Sequence, residues 1–115
     1  MDNKREIYDL SITVFQKVWQ SLSRTMGPLS TTIIFNRALK KSQTKILKID
    51  NNNLNFQDFT PEIDIGSYYS SFIKLKNAIT ESLQKLTGNL LTERMEKEVE
   101  NTLAAIDKIY KESLK

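Results

Sequence analysis

Apolar residues recur along the first 26 positions at spacings of four and three. One stripe is Tyr8, Ile12, Phe15, Trp19, Leu22 and Met26; a second beside it is Ile7, Leu10, Val14 and Val18. A period near 3.6 predicts an amphipathic helix over residues 4–26. Asn3 and Glu6 stand at the spacing of a capping box, with Asn3 accepting from the first turn. Gly27-Pro28 ends the helix, because proline disfavours a helical residue before it and glycine suits a left-handed C-terminal position. The two stripes together cover about half the helix circumference, more than a single core-facing stripe requires. Such a helix is either central in its bundle, or it packs one flank on the core and the other on a second subunit.

A second helix is predicted over 28–42, with Pro28 at its first position and Ile33, Ile34, Phe35, Ala38 and Leu39 along it. Thr31 to Phe35 is β-branched enough to suggest strand, but Asn36-Arg37-Ala38-Leu39-Lys40-Lys41 continues without a turn signal, which favours helix. Residues 44–59 read two ways. Lys45 to Ile49 and Leu54 to Phe56 can pair as short strands around the turn Asp50-Asn51-Asn52-Asn53, or the segment is irregular chain packing Phe56 and Phe59 on the bundle.

Two more helices follow, over 67–86 (Tyr69, Phe72, Leu75, Ile79, Leu83, Leu86) and 89–112 (Leu91, Met95, Val99, Leu103, Ile106, Tyr110). A single helix through Gly88 would throw these stripes onto opposite faces, since Leu86 and Met95 lie about 180° apart at roughly 100° per residue. A turn at Thr87-Gly88-Asn89 lets both face one core as an antiparallel hairpin. The alternative is a swap in which the two halves pack on different subunits. The expected fold is all-α: one four-helix bundle-like domain over residues 1–115, with an irregular or short β-hairpin insert between helices 2 and 3. No internal repeat is visible.

At 115 residues the chain can bury one core. Hydrophobic content of 39% and charged content of 27% fit a globular protein. No apolar run reaches bilayer length, and the first six residues lack the core of a signal peptide, so no membrane role and a cytoplasmic location are expected. The net charge of +3 is too low to imply nucleic acid by itself. Its distribution says more. Arg37, Lys40, Lys41, Lys45 and Lys48 fall in a segment without acids, and Asp50, Asp58, Glu62 and Asp64 in the next, without bases. The simplest outcome is that these neighbouring segments attract each other.

Catalytic chemistry is hard to assemble from this composition. There is no histidine and no cysteine, which removes the commonest general base, the phosphate-carrying imidazole and every thiolate. Gly27, Gly66 and Gly88 are isolated, so no glycine-rich phosphate loop exists. Glu93, Glu96, Glu98 and Glu100 alternate with Arg94 and Lys97, as on a solvated helix face rather than in a metal cage. The arginine placement of chorismate mutase-like bundles is absent from helix 1. The chain is therefore expected not to be an enzyme and to need no cofactor.

Two sets of residues remain as candidate sites. Arg37, Lys40, Lys41 and Lys45, stacked on one helix at spacings of three and four, can bind an acidic partner or an anion. Tyr8, Ile12, Phe15 and Trp19, on the broad face of helix 1, can form a subunit or partner interface, with tryptophan and tyrosine as anchors. The expected function is that of a non-catalytic regulatory or adaptor protein binding another protein or itself as a homodimer. By fold analogy alone it resembles the small bacterial and archaeal helical domains that act in signalling. The alternatives are a nucleic-acid-binding regulator using the basic segment 37–48 and a small-molecule sensor with a pocket lined by Phe15, Trp19, Phe72 and Tyr69. Haem is disfavoured without a histidine to ligate it.

Overall fold

The computed structural model describes residues 3–115. Its elements are α1 (Asn3–Met26), α2 (Pro28–Ser42), β1 (Leu47–Asp50), β2 (Asn53–Phe56), α3 (Ile65–Thr87) and α4 (Asn89–Ser113). The all-α bundle with a small antiparallel hairpin between the second and third helices is the architecture expected from the pattern. Asn3 already lies within the first turn of α1, so the position that caps this helix falls outside the described residues. At α3 the cap is clear: the Asp64 carboxylate accepts from the Gly66 N–H at 3.2 Å and from Ser67 Oγ at 2.9 Å, and the helix starts two residues earlier than the apolar pattern indicates.

The insert is a hairpin. Leu47 pairs with Phe56, Ile49 with Leu54 and Asp50 with Asn53. The two-residue connection puts Asn51 (φ 50°) and Asn52 (φ 63°) both in the left-handed region, which a type I′ turn demands and asparagine tolerates better than most residues. Leu47 is buried and Ile49, Leu54 and Phe56 are half-buried. The chain then crosses the start of α1. Tyr8 Oη donates to Gln57 O at 2.5 Å, Lys4 Nζ reaches Pro61 O at 3.4 Å, and the Arg5 guanidinium lies 4.9 Å from the Phe59 ring centre.

α1 is central. It packs most extensively on α4 and also against α2 and α3, so both of its stripes are used within one chain. The core gathers Phe15, Phe35, Phe72, Leu75, Leu83 and Met95, each at most 2% exposed. Burying a side chain of this kind contributes about 1.5–3 kcal/mol relative to leaving it in water. α1 and α3 run in the same direction diagonally across the core, with Tyr8 5.8 Å from Tyr68 and Phe15 5.4 Å from Phe72 between ring centres. α4 returns antiparallel to α3 within the same chain, stacking Tyr110 on Tyr69 at 3.9 Å. The Gly27 and Gly88 turns consequently sit at the same end of the bundle, opposite the crossing segment 57–63.

The two helical hairpins are one design used twice, which corrects the expectation of no repeat. Ser21-Leu22-Ser23-Arg24-Thr25-Met26-Gly27-Pro28-Leu29-Ser30-Thr31 matches Ser82-Leu83-Gln84-Lys85-Leu86-Thr87-Gly88-Asn89-Leu90-Leu91-Thr92 in its serine, leucine, basic, glycine, leucine and threonine positions. Both glycines have positive φ (85° and 77°), and in both turns the threonine hydroxyl donates to the glycine carbonyl, at 2.9 and 3.1 Å. The same offset pairs buried positions beyond the turn: Ile7 with Tyr68, Val14 with Leu75, Val18 with Ile79, Ile34 with Met95, Ala38 with Val99. The packing is likewise reciprocal, α1 resting mainly on α4 and α2 on α3.

Candidate interaction surface

Arg37, Lys40, Lys41 and Lys45 are all exposed, but they do not form one stack. α2 stops at Ser42 because Gln43 turns left-handed (φ 56°) and its N–H closes on Leu39 O at 3.0 Å, so Lys45 leaves the helix axis. Lys41 has an internal partner. Its Nζ lies 2.5 Å from Glu81 Oε2 on α3, and that hydrogen bond and charge hold the Glu81 carboxyl below the usual carboxylate range. The partner is thus α3 and not the acidic segment that follows the cations in sequence. Lys45 and Lys48 line an open cleft of about 700 Å³ between the end of α2 and the hairpin, shared with Leu39, Phe56, Asn55 and Asp58. Two lysines beside a carboxylate make a surface of mixed sign, not a phosphate track.

The helix 1 candidates are held within the chain. Phe15 is 1% exposed and sits edge-on to Phe72; Tyr8 is buried against Phe59 and Tyr68; Trp19 packs edge-on to Phe35 at 5.0 Å; Ile12 is half-buried against the core. The width of the apolar arc is accounted for by neighbours on three sides. Of the four residues proposed to line a pocket, Phe15 and Phe72 pack on each other, Trp19 goes to Phe35, and Tyr69, stacked on Tyr110, shares with Phe72 an open cleft of about 210 Å³ between α3 and α4. The interior space bounded by Val14, Phe15, Ile79 and Met95 leaves no room for a water molecule.

Titratable groups inside the bundle are structural. The Tyr68 hydroxyl meets Ser11 Oγ at 2.5 Å, and burial pushes its pKa up to about 12. Tyr8 is raised by burial and then by the Asp58 charge. Tyr69, raised by burial, donates to Asp107 Oδ1 at 3.0 Å; Asp107 is itself held low by Lys111 and then by this bond. These tyrosines stay neutral donors at physiological pH and fasten helices to each other and to the insert. Among the described residues no three Asp or Glu side chains come together as a metal ion would require. No described helix is long and apolar enough to cross a membrane.

The unexpected feature is at the glycine end. The large exposed hydrophobic residues among those described are Leu29 (75%), Ile33 (48%), Leu86 (53%), Leu90 (78%) and Leu114. All but the last lie within six residues of Gly27 or Gly88. Leu86 belongs to a stripe expected to face the core but lies where the bundle ends, whereas Ile33 lies on the side of α2 away from the buried Thr31, Ile34, Phe35 and Ala38. Leu29 and Leu90 lie on no stripe; the signal that marks them is their place, each two residues after a glycine in the repeated segment. Arg24, Lys85, Arg94 and Glu93 are exposed within six residues of the same glycines, and Leu90 and Arg94 share a shallow cleft with Glu93, Glu96, Lys97 and Glu100, a surface of mixed sign. α2 and α4 begin here without a side-chain cap, and α1 and α3 end beside them, so the helix dipoles at this end largely offset one another.

No protein-family model, no curated protein and no solved structure matches this chain.

Proposed function

We propose that this chain is a non-catalytic regulatory or adaptor protein that binds another protein through the end of the bundle carrying the two glycine turns, in the cytoplasmic signalling setting that small prokaryotic helical domains occupy. The observation that supports this is that four of the five large exposed hydrophobic residues among those described, Leu29, Ile33, Leu86 and Leu90, lie within six residues of the two glycine turns. Exposed apolar residues gathered together and rimmed by charge are the mark of an interaction surface, whereas scattered ones are ordinary. The titratable groups with raised pKa values are tyrosines engaged in packing, and the cavities are open clefts of mixed polarity, which favours binding over turnover.

Nucleic acid is the second reading, supported by the exposure of Arg37, Lys40, Lys45 and Lys48. It is weakened by the commitment of Lys41 to Glu81 and by Asp58 in the cleft beside Lys45. Recovery of the tagged protein from its own cells, in parallel with the Leu29→Ser/Leu90→Ser variant, separates the two. A protein that comes with the native chain, is absent from the variant and persists at high salt supports the adaptor. Nuclease-sensitive material lost steeply as salt rises, and retained by the variant, replaces it with the second reading.

A further inference from the structure

We propose that this chain exchanges halves with a second copy of itself, the Asn51-Asn52 turn opening so that α1, α2 and β1 of one molecule fold with β2, α3 and α4 of the other. This goes beyond the binding reading above and does not depend on it. Three observations select it. Each half finds its main packing partner in the other half, α1 on α4 and α2 on α3, so the contacts that hold the fold lie across the turn. Phe15 on Phe72, Ser11 on Tyr68, Tyr8 on Gln57 and Lys41 on Glu81 are all remade between molecules, with nothing lost from the core. The second observation is the register. Leu47 pairs with Phe56, Lys48 with Asn55, Ile49 with Leu54 and Asp50 with Asn53, symmetrically about the turn. Two straightened strands over 47–56, laid antiparallel, keep every one of these pairs between molecules and add Asn51 opposite Asn52 twice. The third is the place of the backbone strain. The non-glycine residues with positive φ among those described are Gln43, Asn51 and Asn52, and two of the three make this turn. Straightening returns both asparagines to extended backbone.

Other turns fit less well as the point of exchange. Gly27 and Gly88 bear their positive φ without a Cβ, so opening them releases little. Gln43 closes α2 on Leu39 O whether or not the hairpin opens. Against exchange stands the covalent link, which favours the closed monomer until the protein approaches roughly millimolar concentration. Relief of about tenfold for each asparagine brings that crossover down to roughly tens of micromolar. The two halves must part before they can exchange, so the dimer forms during refolding and interconverts slowly with the folded monomer.

The test refolds the full chain from urea at about 5 and about 500 µM, either side of the crossover, and reads mass by sedimentation velocity. The expected result is monomer at the lower concentration and dimer at the higher. Isotope-filtered NMR on dimer refolded from equal parts labelled and unlabelled chain should then show contacts between Phe15 of one molecule and Phe72 of the other, which a dimer of closed monomers cannot give. Asn52→Gly supplies the Asn-Gly pair that this turn accepts best, and should raise the dissociation constant about tenfold. Asn51→Val/Asn52→Val puts β-branched residues where φ is positive, and should lower it by about tenfold or more. The NMR experiment on the native chain stands whether or not that variant folds. Leu29→Ser/Leu90→Ser should leave the dimer unchanged. A native chain still monomeric after refolding at the higher concentration, a dimer without intermolecular contacts between Phe15 and Phe72, or a dimer unaffected by Asn52→Gly overturns the proposal. So does a dimer abolished by the leucine variant, which would seat the second copy on the glycine end instead.

Discussion

The two ends of this bundle are closed in different ways. At the end where α1 and α3 begin, the crossing segment is drawn over the helices by Tyr8 bonding to Gln57 O, by Phe59 between Tyr8 and Arg5, and by Ile63, which is buried. At the other end two single glycines turn the chain, and Leu29 and Leu90 remain in water. The hydroxyl bonds and ring contacts of the first end fix its conformation. The second end has apolar side chains left over after the fold is complete.

Changes that deepen or erase this contrast test it. The largest effect expected is alkaline. Tyr68 has a folded pKa of about 12 against 10.0 unfolded, so its contribution is fully present below pH 10 and is lost as pH rises through 12. Over that window stability should fall by about 2–3 kcal/mol on its account, and the difference between the native chain and Tyr68→Phe in urea denaturation across pH 9–12 isolates it from the lysines. Next come the glycines. Both have a positive φ with ψ near 180°, a region nearly closed to other residues, yet a Cβ at either would meet nothing within 4 Å. Gly27→Ala and Gly88→Ala should each cost about 1–3 kcal/mol from the backbone alone, and by nearly equal amounts; a large inequality in their chemical denaturation would break the equivalence of the two turns. The smallest effect belongs to the leucines. Leu29→Ser and Leu90→Ser should shift stability by less than about 0.5 kcal/mol. A cost like that of a buried leucine would mean that this end is part of the core.

Much of the fold was legible because helical periodicity is a local property. The four helices and the breaks at Gly27-Pro28 and Gly88 followed from spacing and from glycine and proline, while fold-back at Gly88 stayed open against a swap between subunits. The hairpin followed from Asn51 and Asn52, although spacing alone did not decide it against irregular chain. The proposed binding surface was not legible. Leu86 sits on an apolar stripe like its buried neighbours, and whether such a residue is covered depends on where the bundle ends, which no single helix encodes. The broad face of α1 misled for a related reason: a wide arc serves three neighbours in one chain as well as it serves a second subunit. The repeat escaped because residue identity is shared mainly around the turns, while equivalent buried sites hold different residues, Ser11 against Phe72 and Ala38 against Val99.

The doubled hairpin has a consequence for how the chain holds together. Since α1 rests chiefly on α4 and α2 on α3, each half completes its core with the other half, as two subunits of an obligate dimer do. The segment 43–64 joins them, and besides the core side chains Ile46, Leu47 and Ile63 it supplies proximity, since a linker keeps its two ends at an effective concentration in the millimolar range. A cut at Asn51-Asn52 would remove that proximity without deleting a single core side chain, turning a unimolecular folding equilibrium into one governed by the amounts of two fragments.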